Sequence, residues 1–147
     1  MAPNKSRLSA RRSRRKDRTP QQECVFCARL AVEETIARNG LAVAIRDRYP
    51  ASRGHVLIVP RRHEPDFLEL SAKERSAVLS LLPAVVDWIG RKFHPDGYNV
   101  GLNIGEAAGQ TVPHAHLHVI PRYKGDVAEP RGGLRWILPE RAAYWRR

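Results

Sequence analysis

The chain has 147 residues, room for one domain of ordinary size, and 42% of them are hydrophobic. Its 26 Lys and Arg residues exceed its 15 Asp and Glu residues, which gives a formal net charge of +11. No stretch approaches the roughly 20 consecutive apolar residues of a membrane span, and no apolar run follows the basic N-terminus as in a secretory signal. The composition therefore predicts a cytoplasmic protein that does not associate with a membrane.

Most of the excess charge lies in residues 1–22, which hold eight basic residues and one acidic residue. This segment contains a single leucine and shows no hydrophobic period, so we expect a disordered basic tail. A solubilising tail is one interpretation, and contact with nucleic acid through neutralised phosphates is the other. No aromatic residue lies among the charges, which argues against base stacking there.

Three strands are predicted in the first half of the chain. Asn39-Gly40 separates the strand-like runs 34–38 and 41–45, and Asn-Gly favours a two-residue hairpin turn in which both residues have positive φ. The run 54–59, which ends before Pro60, predicts a third strand.

A long helix is predicted after these strands. Ser71 and Glu74 have the spacing of a capping box at its start. Six apolar residues then recur on one 3.6-residue face: Val78, Leu81, Leu82, Val85, Ile89 and Phe93. Pro83 removes one backbone donor inside this run, so we expect a kink or a re-paired turn there, and the helix ends at residues 94–97.

Two further strands are predicted at 98–104 and 115–120, separated by a glycine-rich loop and ended by Pro121. Sequential strands with a segregated helix indicate an α+β fold with an antiparallel sheet. Residues 125–147 are expected to form an irregular arm that packs its aromatic residues on the domain or on a partner subunit.

The most informative feature is the run His114-Ala-His116-Leu-His118. Side chains alternate along a strand, so the three imidazoles are expected on one face and Ala115 and Leu117 on the other. One interpretation is a catalytic metal site, although ligands on a straight strand lie too far apart for all three to reach one ion. The other is nucleophilic catalysis by imidazole. The preceding loop favours the second, because its glycines let backbone N–H groups surround a phosphate.

Cys24 and Cys27 form a Cys-x-x-Cys pair in a chain that has no other cysteine. This spacing suits metal binding or redox chemistry in a reducing compartment better than a structural crosslink. The spacing alone does not choose between a metal site, a redox pair and two reduced thiols.

The histidine run, with Gln110-Thr111-Val112-Pro113 before it and Pro121-Arg122 after it, resembles the signature of the histidine triad (HIT) superfamily. The segment Gly54-His55-Val-Leu-Ile-Val-Pro60 resembles the second signature of that superfamily. The likeness is strongest to bacterial zinc-containing members and to dinucleoside polyphosphate hydrolases. It implies a five-stranded antiparallel sheet with one long helix in residues 23–124, a tail at 1–22 and an arm at 125–147.

The resemblance implies an enzyme that cleaves nucleotides at the α-phosphate. His116 would be the nucleophile that forms a nucleotidyl-histidine intermediate, and His118 would contact the phosphate and assist the leaving group. The remaining implied site residues are His55, which supports the triad, Asp47, which binds ribose hydroxyls, and Asn103, Gln110 and Thr111, which line the phosphate pocket.

The resemblance also implies a structural zinc ion held by two cysteines and two histidines: Cys24, Cys27, His63 and His114. Magnesium would accompany a polyphosphate substrate, and two chains would form a homodimer through the long helix and the strand before the triad loop. Arg131, Arg135 and Trp136 of the arm are candidates to reach the substrate.

The expected reaction is hydrolysis of a dinucleoside polyphosphate, such as diadenosine tetraphosphate, or of a nucleoside phosphoramidate. The alternatives are a nucleotidyltransferase or phosphorylase of the same superfamily, and removal of adenylate from a DNA end with the basic tail as an anchor. A nucleotide-binding adaptor without turnover is disfavoured by the intact triad.

Overall fold

A computed structural model describes residues 19–146, so most of the predicted basic tail, residues 1–18, lies outside the described residues. The five helices are α1 (Pro20–Glu23), α2 (Val25–Val32), α3 (Ala72–Ser80), α4 (Leu82–Phe93) and α5 (Pro139–Ala142). The five strands are β1 (Ala37–Arg38), β2 (Ala42–Arg46), β3 (Val56–Pro60), β4 (Gly97–Leu102) and β5 (Leu117–Arg122). The arrangement confirms the predicted α+β class.

The strands form one sheet in the order β1-β2-β3-β5-β4, and every neighbouring pair is antiparallel. The central strands β2 and β3 are buried on both faces, which explains why their sequences are continuous apolar runs. One face packs against α3 and α4 through a cluster that includes Ala44, Ile58, Leu117 and Val119. The other face packs against α2 through Leu57 and its neighbours.

The helices α1 and α2 were not predicted, and residues 20–22 are helical rather than disordered. Thr19 is the N-cap of α1 and Pro20 follows it at a first-turn position, where a missing N–H costs nothing. Cys24 lies between the two helices, and Phe26 packs with it against the sheet. Burial of this apolar side of α2 holds the segment on the sheet.

The β1–β2 hairpin exists, but its predicted turn type is wrong. Among the described residues, His94 alone combines a side chain with positive φ, and Gly40 has no positive φ either. Instead, the Asn39 side chain accepts hydrogen bonds from the backbone N–H groups of Leu41 and Ala42, at 3.0 and 2.8 Å. This Asx turn competes with the backbone turn that Asn-Gly favours.

The predicted long helix is divided at Leu81, which confirms the break expected from Pro83. Leu81 N–H bonds to the Val78 carbonyl in a tight turn, and Pro83 lies in the first turn of α4. The capping box at the start of α3 is also confirmed, because Ser71 and Glu74 exchange side-chain and backbone hydrogen bonds of 2.8 and 3.2 Å.

The fifth strand begins and ends later than predicted. Ala115 and His116 precede β5, because the ladder with β3 stops at the pair Ile58–Leu117 and the Ala115 N–H donates instead to the Glu64 carbonyl at 2.7 Å. Pro121 does not end the strand. It pairs with Tyr98 of β4, and β3 begins only opposite Val119, so Pro121 has a partner strand on one side only and its missing donor is tolerated.

Gly54 in the loop before β3 has a structural requirement for glycine. Its φ is +94°, and a Cβ there would lie 2.8 Å from the Phe93 ring. Gly54→Ala is therefore expected to lower the free energy of unfolding by about 2–4 kcal/mol. Gly40→Ala is the matched control, because no atom lies within 4 Å of its added methyl group. Urea denaturation of both variants tests this, and equal losses would contradict it.

The C-terminal arm lies against β4 in short helical turns, Gly133–Ile137, Pro139–Ala142 and Tyr144–Arg146. Leu134 packs over Gly101, which pairs with His118, so the arm covers the sheet face that carries the histidines. Among the helices of residues 19–146, none has the length and hydropathy needed to cross a membrane.

Candidate active site and metal centre

His116 lies just before β5 with its ring in a cavity of about 290 Å³. The ring atom Nδ1 is 2.8 Å from the His114 backbone carbonyl, an acceptor, so Nδ1 carries the proton and donates it. In the neutral ring the Nε2 lone pair is then free. The Phe26 ring packs edge-on at 5.0 Å and limits rotation of the imidazole. The tautomer with its proton on Nδ1 and a free lone pair on Nε2 is the one that a nucleophilic His116 requires.

A chain of hydrogen bonds fixes the protons on His55 and His118. The Ala51 backbone N–H can only donate, and it donates to His55 Nδ1 at 3.1 Å. The proton of neutral His55 is therefore on Nε2, which donates to His118 Nδ1 at 3.0 Å. His118 must then carry its own proton on Nε2. That atom is buried and has no hydrogen-bond partner among the described residues. A buried donor that lacks an acceptor suits a phosphate oxygen.

Burial favours the neutral forms of His118 and His55. It lowers the pKa of His118 to about 4, with smaller effects from the adjacent His116 and His55 rings. Burial also lowers the pKa of His55, although the Asp47 carboxylate opposes the shift. The neutral His118 ring can donate a hydrogen bond from Nε2 at neutral pH, and its assistance to the leaving group remains a prediction.

These shifts predict the pH dependence of stability. Above pH 6.5, the ordinary pKa of histidine, His118 is neutral in both the folded and the unfolded chain, so it does not make the free energy of unfolding depend on pH. Below it, the unfolded chain takes up protons that the folded chain refuses, so the free energy of unfolding is expected to fall from pH 6.5 to about 4. Urea denaturation across this range tests the slope. His118→Gln should make it shallower, the exposed control His94→Asn should not, and a flat wild-type profile would contradict the argument.

Asp47 and Thr111 line the same cavity as His116 and His118. One oxygen of Asp47 accepts the Tyr49 backbone N–H at 2.8 Å, and the other lies 3.4 Å from His55 Nδ1. The carboxylate is thus held at the end of β2, beside the imidazoles. Its predicted contact with ribose hydroxyls remains a prediction.

Gln110 lines a neighbouring cavity that shares Thr111 with the first. Its side-chain amide bonds to the loop backbone, accepting from Gly105 N–H and donating to the carbonyls of Pro65 and Val112. These hydrogen bonds stabilise the loop, and the contact of Gln110 with phosphate remains a prediction. Asn103 is not among the residues that line the triad cavity.

The four predicted metal ligands come together. The ligand atoms of Cys24, Cys27, His63 and His114 all lie within 4.8 Å of one another. The Sγ–Nδ1 distances are 3.4 Å for Cys24–His114, 3.5 Å for Cys27–His63 and 3.6 Å for Cys27–His114. Zinc bonds of about 2.3 Å to sulfur and 2.0 Å to nitrogen at tetrahedral angles place such atoms about 3.5 Å apart. The donor set and its dimensions therefore fit zinc.

His114 is already in the tautomer of a metal ligand. Its Nε2 donates to the Pro60 carbonyl at 2.9 Å, so the Nδ1 lone pair faces the thiols. Burial and the neighbouring Cys24 raise the pKa of the Cys27 thiol to about 11. Two imidazole nitrogens lie with the two thiols as one four-atom donor set, and this arrangement favours a metal site over a redox pair. The same His114 holds His116 through its carbonyl and thus links the two centres.

A group of residues that sequence reasoning missed forms the other wall of the cavity. Arg29 and Phe26 on α2 and Arg48 beside Asp47 line it. Glu33, at the end of α2, accepts hydrogen bonds from Arg29 and Arg48. The i, i+4 spacing of Arg29 and Glu33 is the one available sequence signal, and it requires α2 to be recognised as a helix.

The three candidate substrate residues of the arm contact other arm residues. The Arg131 guanidinium lies 4.7 Å above the Trp145 ring, and Arg135 lies 5.0 Å above Tyr144. Trp136 donates its indole N–H to the Arg131 carbonyl. None of the three lines the triad cavity.

The model of the HIT domain family matches residues 31–125. An AP-4-A phosphorylase of Mycobacterium tuberculosis is 33% identical over 74% of this chain and 57% of its own length. The asymmetrical bis(5'-nucleosyl)-tetraphosphatase of Schizosaccharomyces pombe is 37% identical over 63% of this chain and 50% of its own length. The chain thus spans about half the length of each of these two relatives. Both relatives are named as enzymes, which confirms the prediction that this chain is an enzyme.

A solved structure of a zinc-bound histidine triad family protein from Mycobacterium smegmatis matches with a TM-score of 0.66 and 32% identity. The match covers 74% of this chain and 81% of that one. It supports the predicted fold and shows that a relative binds zinc. The chain belongs to the HIT domain family, the histidine triad proteins.

Proposed function

We propose that this enzyme cleaves a dinucleoside polyphosphate at the α-phosphate through a nucleotidyl-His116 intermediate. One observation carries the proposal: the cavity presents a free lone pair on His116 Nε2 and an unpartnered donor on His118 Nε2. The first suits attack on phosphorus, and the second suits a phosphoryl oxygen. The names of the relatives support a dinucleotide substrate.

In the first step, the His116 Nε2 lone pair forms a bond to the α-phosphorus while the bond from phosphorus to the bridging oxygen breaks. The remaining nucleotide leaves with that electron pair. The positive charge that develops on the His116 ring is stabilised by the hydrogen bond from Nδ1 to the His114 carbonyl. In the second step, water attacks the same phosphorus, the P–N bond breaks, and a proton passes to solvent.

The leaving group distinguishes the two substrate classes that the sequence allowed. A polyphosphate leaves as a stable anion and needs no proton, whereas the amine of a phosphoramidate must gain a proton as it leaves. The names of the relatives refer to dinucleoside polyphosphates, so we place polyphosphates ahead of phosphoramidates as substrates.

The chain's other residues position these groups. His55 fixes the His118 tautomer, and Asp47 is proposed to bind the ribose hydroxyls. We propose that the Cys24, Cys27, His63 and His114 cluster holds a zinc ion that fixes the start of the catalytic segment. The homodimer, the magnesium ion, a nucleic-acid contact of the tail and the cytoplasmic location remain predictions.

The acceptor in the second step is the open choice. Phosphate in place of water would make the enzyme a phosphorylase, and one relative is named as such.

Turnover of diadenosine tri- and tetraphosphate, adenosine phosphoramidate and adenylylated DNA, each with and without inorganic phosphate, tests the proposal. A nucleoside monophosphate as product indicates hydrolysis, and a nucleoside diphosphate formed only with phosphate indicates phosphorolysis. Absence of turnover of both polyphosphates would contradict the proposal, and cleavage confined to adenylylated DNA would favour the DNA-end alternative.

A further inference from the structure

The wall of the cavity opposite the triad has the composition of a nucleobase site. Val25 of α2 is half-exposed and provides apolar surface for a flat ring, and the nearly buried Phe26 and Leu57 also line the cavity. Asp47, the proposed ribose ligand, lies on the same loop as Arg48. A base whose ribose is held by Asp47 is therefore within reach of Arg48.

The charged side chains of this wall are connected. Arg29 is buried and donates to both oxygens of Glu33 at 2.9 Å and to the Arg46 carbonyl. Arg48 donates one hydrogen bond through its Nη2 to the same carboxylate. The Arg29 hydrogen bonds lower the pKa of Glu33, so its charge persists. Glu33 anchors Arg48 and is itself not among the residues that line the cavity.

The network leaves N–H groups of Arg48 available and no free oxygen on Glu33, while the Asp47 carboxylate in the same cavity is the proposed ribose ligand. Both Glu33 oxygens accept from arginine, whereas Arg48 has further N–H groups without a partner in residues 19–146. Guanine presents two acceptors, O6 and N7, to such a fork. Adenine presents N7 beside an amino group, which is itself a donor. An amino group facing the guanidinium finds no acceptor.

Resting on the reaction proposed above, we propose that Arg48 selects the base and that the nucleotidyl position takes guanosine in preference to adenosine. The Arg48 side chain is 62% exposed, so water can satisfy part of the adenine amino group. The preference in kcat/KM is therefore expected at the lower end for a bidentate arginine contact, about five- to tenfold.

The test compares diguanosine and diadenosine tetraphosphate as substrates, and GMP and AMP as ligands by calorimetry. In the wild type, guanosine should be favoured in both measurements. Arg48→Ala should abolish the preference by raising KM for the guanosine substrate more than KM for the adenosine substrate. Arg48→Lys keeps the charge without the fork and should lose most of the preference.

Arg91→Ala is the matched control, since Arg91 is also exposed, at 71%, and pairs with Asp87 away from the cavity. It should keep the wild-type preference. Equal use of both bases by the wild type, a preference for adenosine, or a guanosine preference that survives Arg48→Ala would overturn base selection. Absence of turnover with both substrates would overturn the proposed reaction, while the GMP and AMP dissociation constants would still decide on Arg48. Absence of turnover together with failure to bind either nucleotide would overturn both.

Discussion

Replacing His116 with asparagine is expected to lower kcat by at least about 10³-fold, because an amide cannot form the bond to phosphorus. The side chain is 7% exposed and contacts Phe26 and the His114 carbonyl, but asparagine can still donate to that carbonyl. The fold should therefore survive. Steady-state turnover of diadenosine tetraphosphate, together with urea denaturation, measures both effects.

His94→Asn is the control for this variant, because His94 is exposed at the end of α4 and lies outside the cavity. It should retain full turnover. A His116→Asn protein that is folded and active within tenfold of the wild type would contradict the role of His116. The denaturation curve shows whether an inactive His116→Asn protein is folded. If it is unfolded, His116→Gln provides a second variant for the same test.

Loss of a proposed zinc ligand is the second large effect. Cys24→Ser is expected to reduce zinc content from about one ion per chain to well below that, and to lower the free energy of unfolding by about 3 kcal/mol or more. Cys24 is buried and lies against His114, so the loss leaves that ring without its partner. Because His114 also orients His116, kcat should fall as well. Elemental analysis, denaturation and turnover measure the three changes.

Ala28→Ser, an exposed change on α2, the helix that begins directly after Cys24, is the matched control and should alter none of them. Zinc uptake by the metal-free protein should release protons, since the pKa of the Cys27 thiol is raised to about 11 and zinc binds thiolate. A Cys24→Ser protein with full zinc content and unchanged stability would contradict the assignment of the metal centre.

The predictions that succeeded rest on local periodicity. Alternation along a strand places Ala115, Leu117 and Val119 in the core and the histidines on the opposite face, as the structure has them. The alternation persists through His116 although the regular strand begins at Leu117. The break at Leu81 follows from the missing N–H of Pro83 in the same local way.

The parts that were missed depend on contacts between distant segments. Helix α2 has weak amphipathic character, and it is held by Cys24 and Phe26 packing on strands that follow it in sequence. The link from Glu33 to Arg48 joins positions 15 residues apart. The Asx turn at Asn39 shows the reverse case, in which one side chain outcompetes the turn that a dipeptide favours. Sequence periodicity contains none of these pairings.

The proposed reaction requires a bond between His116 Nε2 and the α-phosphorus. Its most direct test is mass spectrometry of the enzyme quenched within the first turnover with diadenosine tetraphosphate or diguanosine tetraphosphate. We expect an acid-labile mass increase equal to one nucleoside 5'-phosphoryl group, located on the peptide that contains His116 and missing from the His116→Asn protein. Product formation at full rate without any such adduct, or an adduct on another residue, would contradict it.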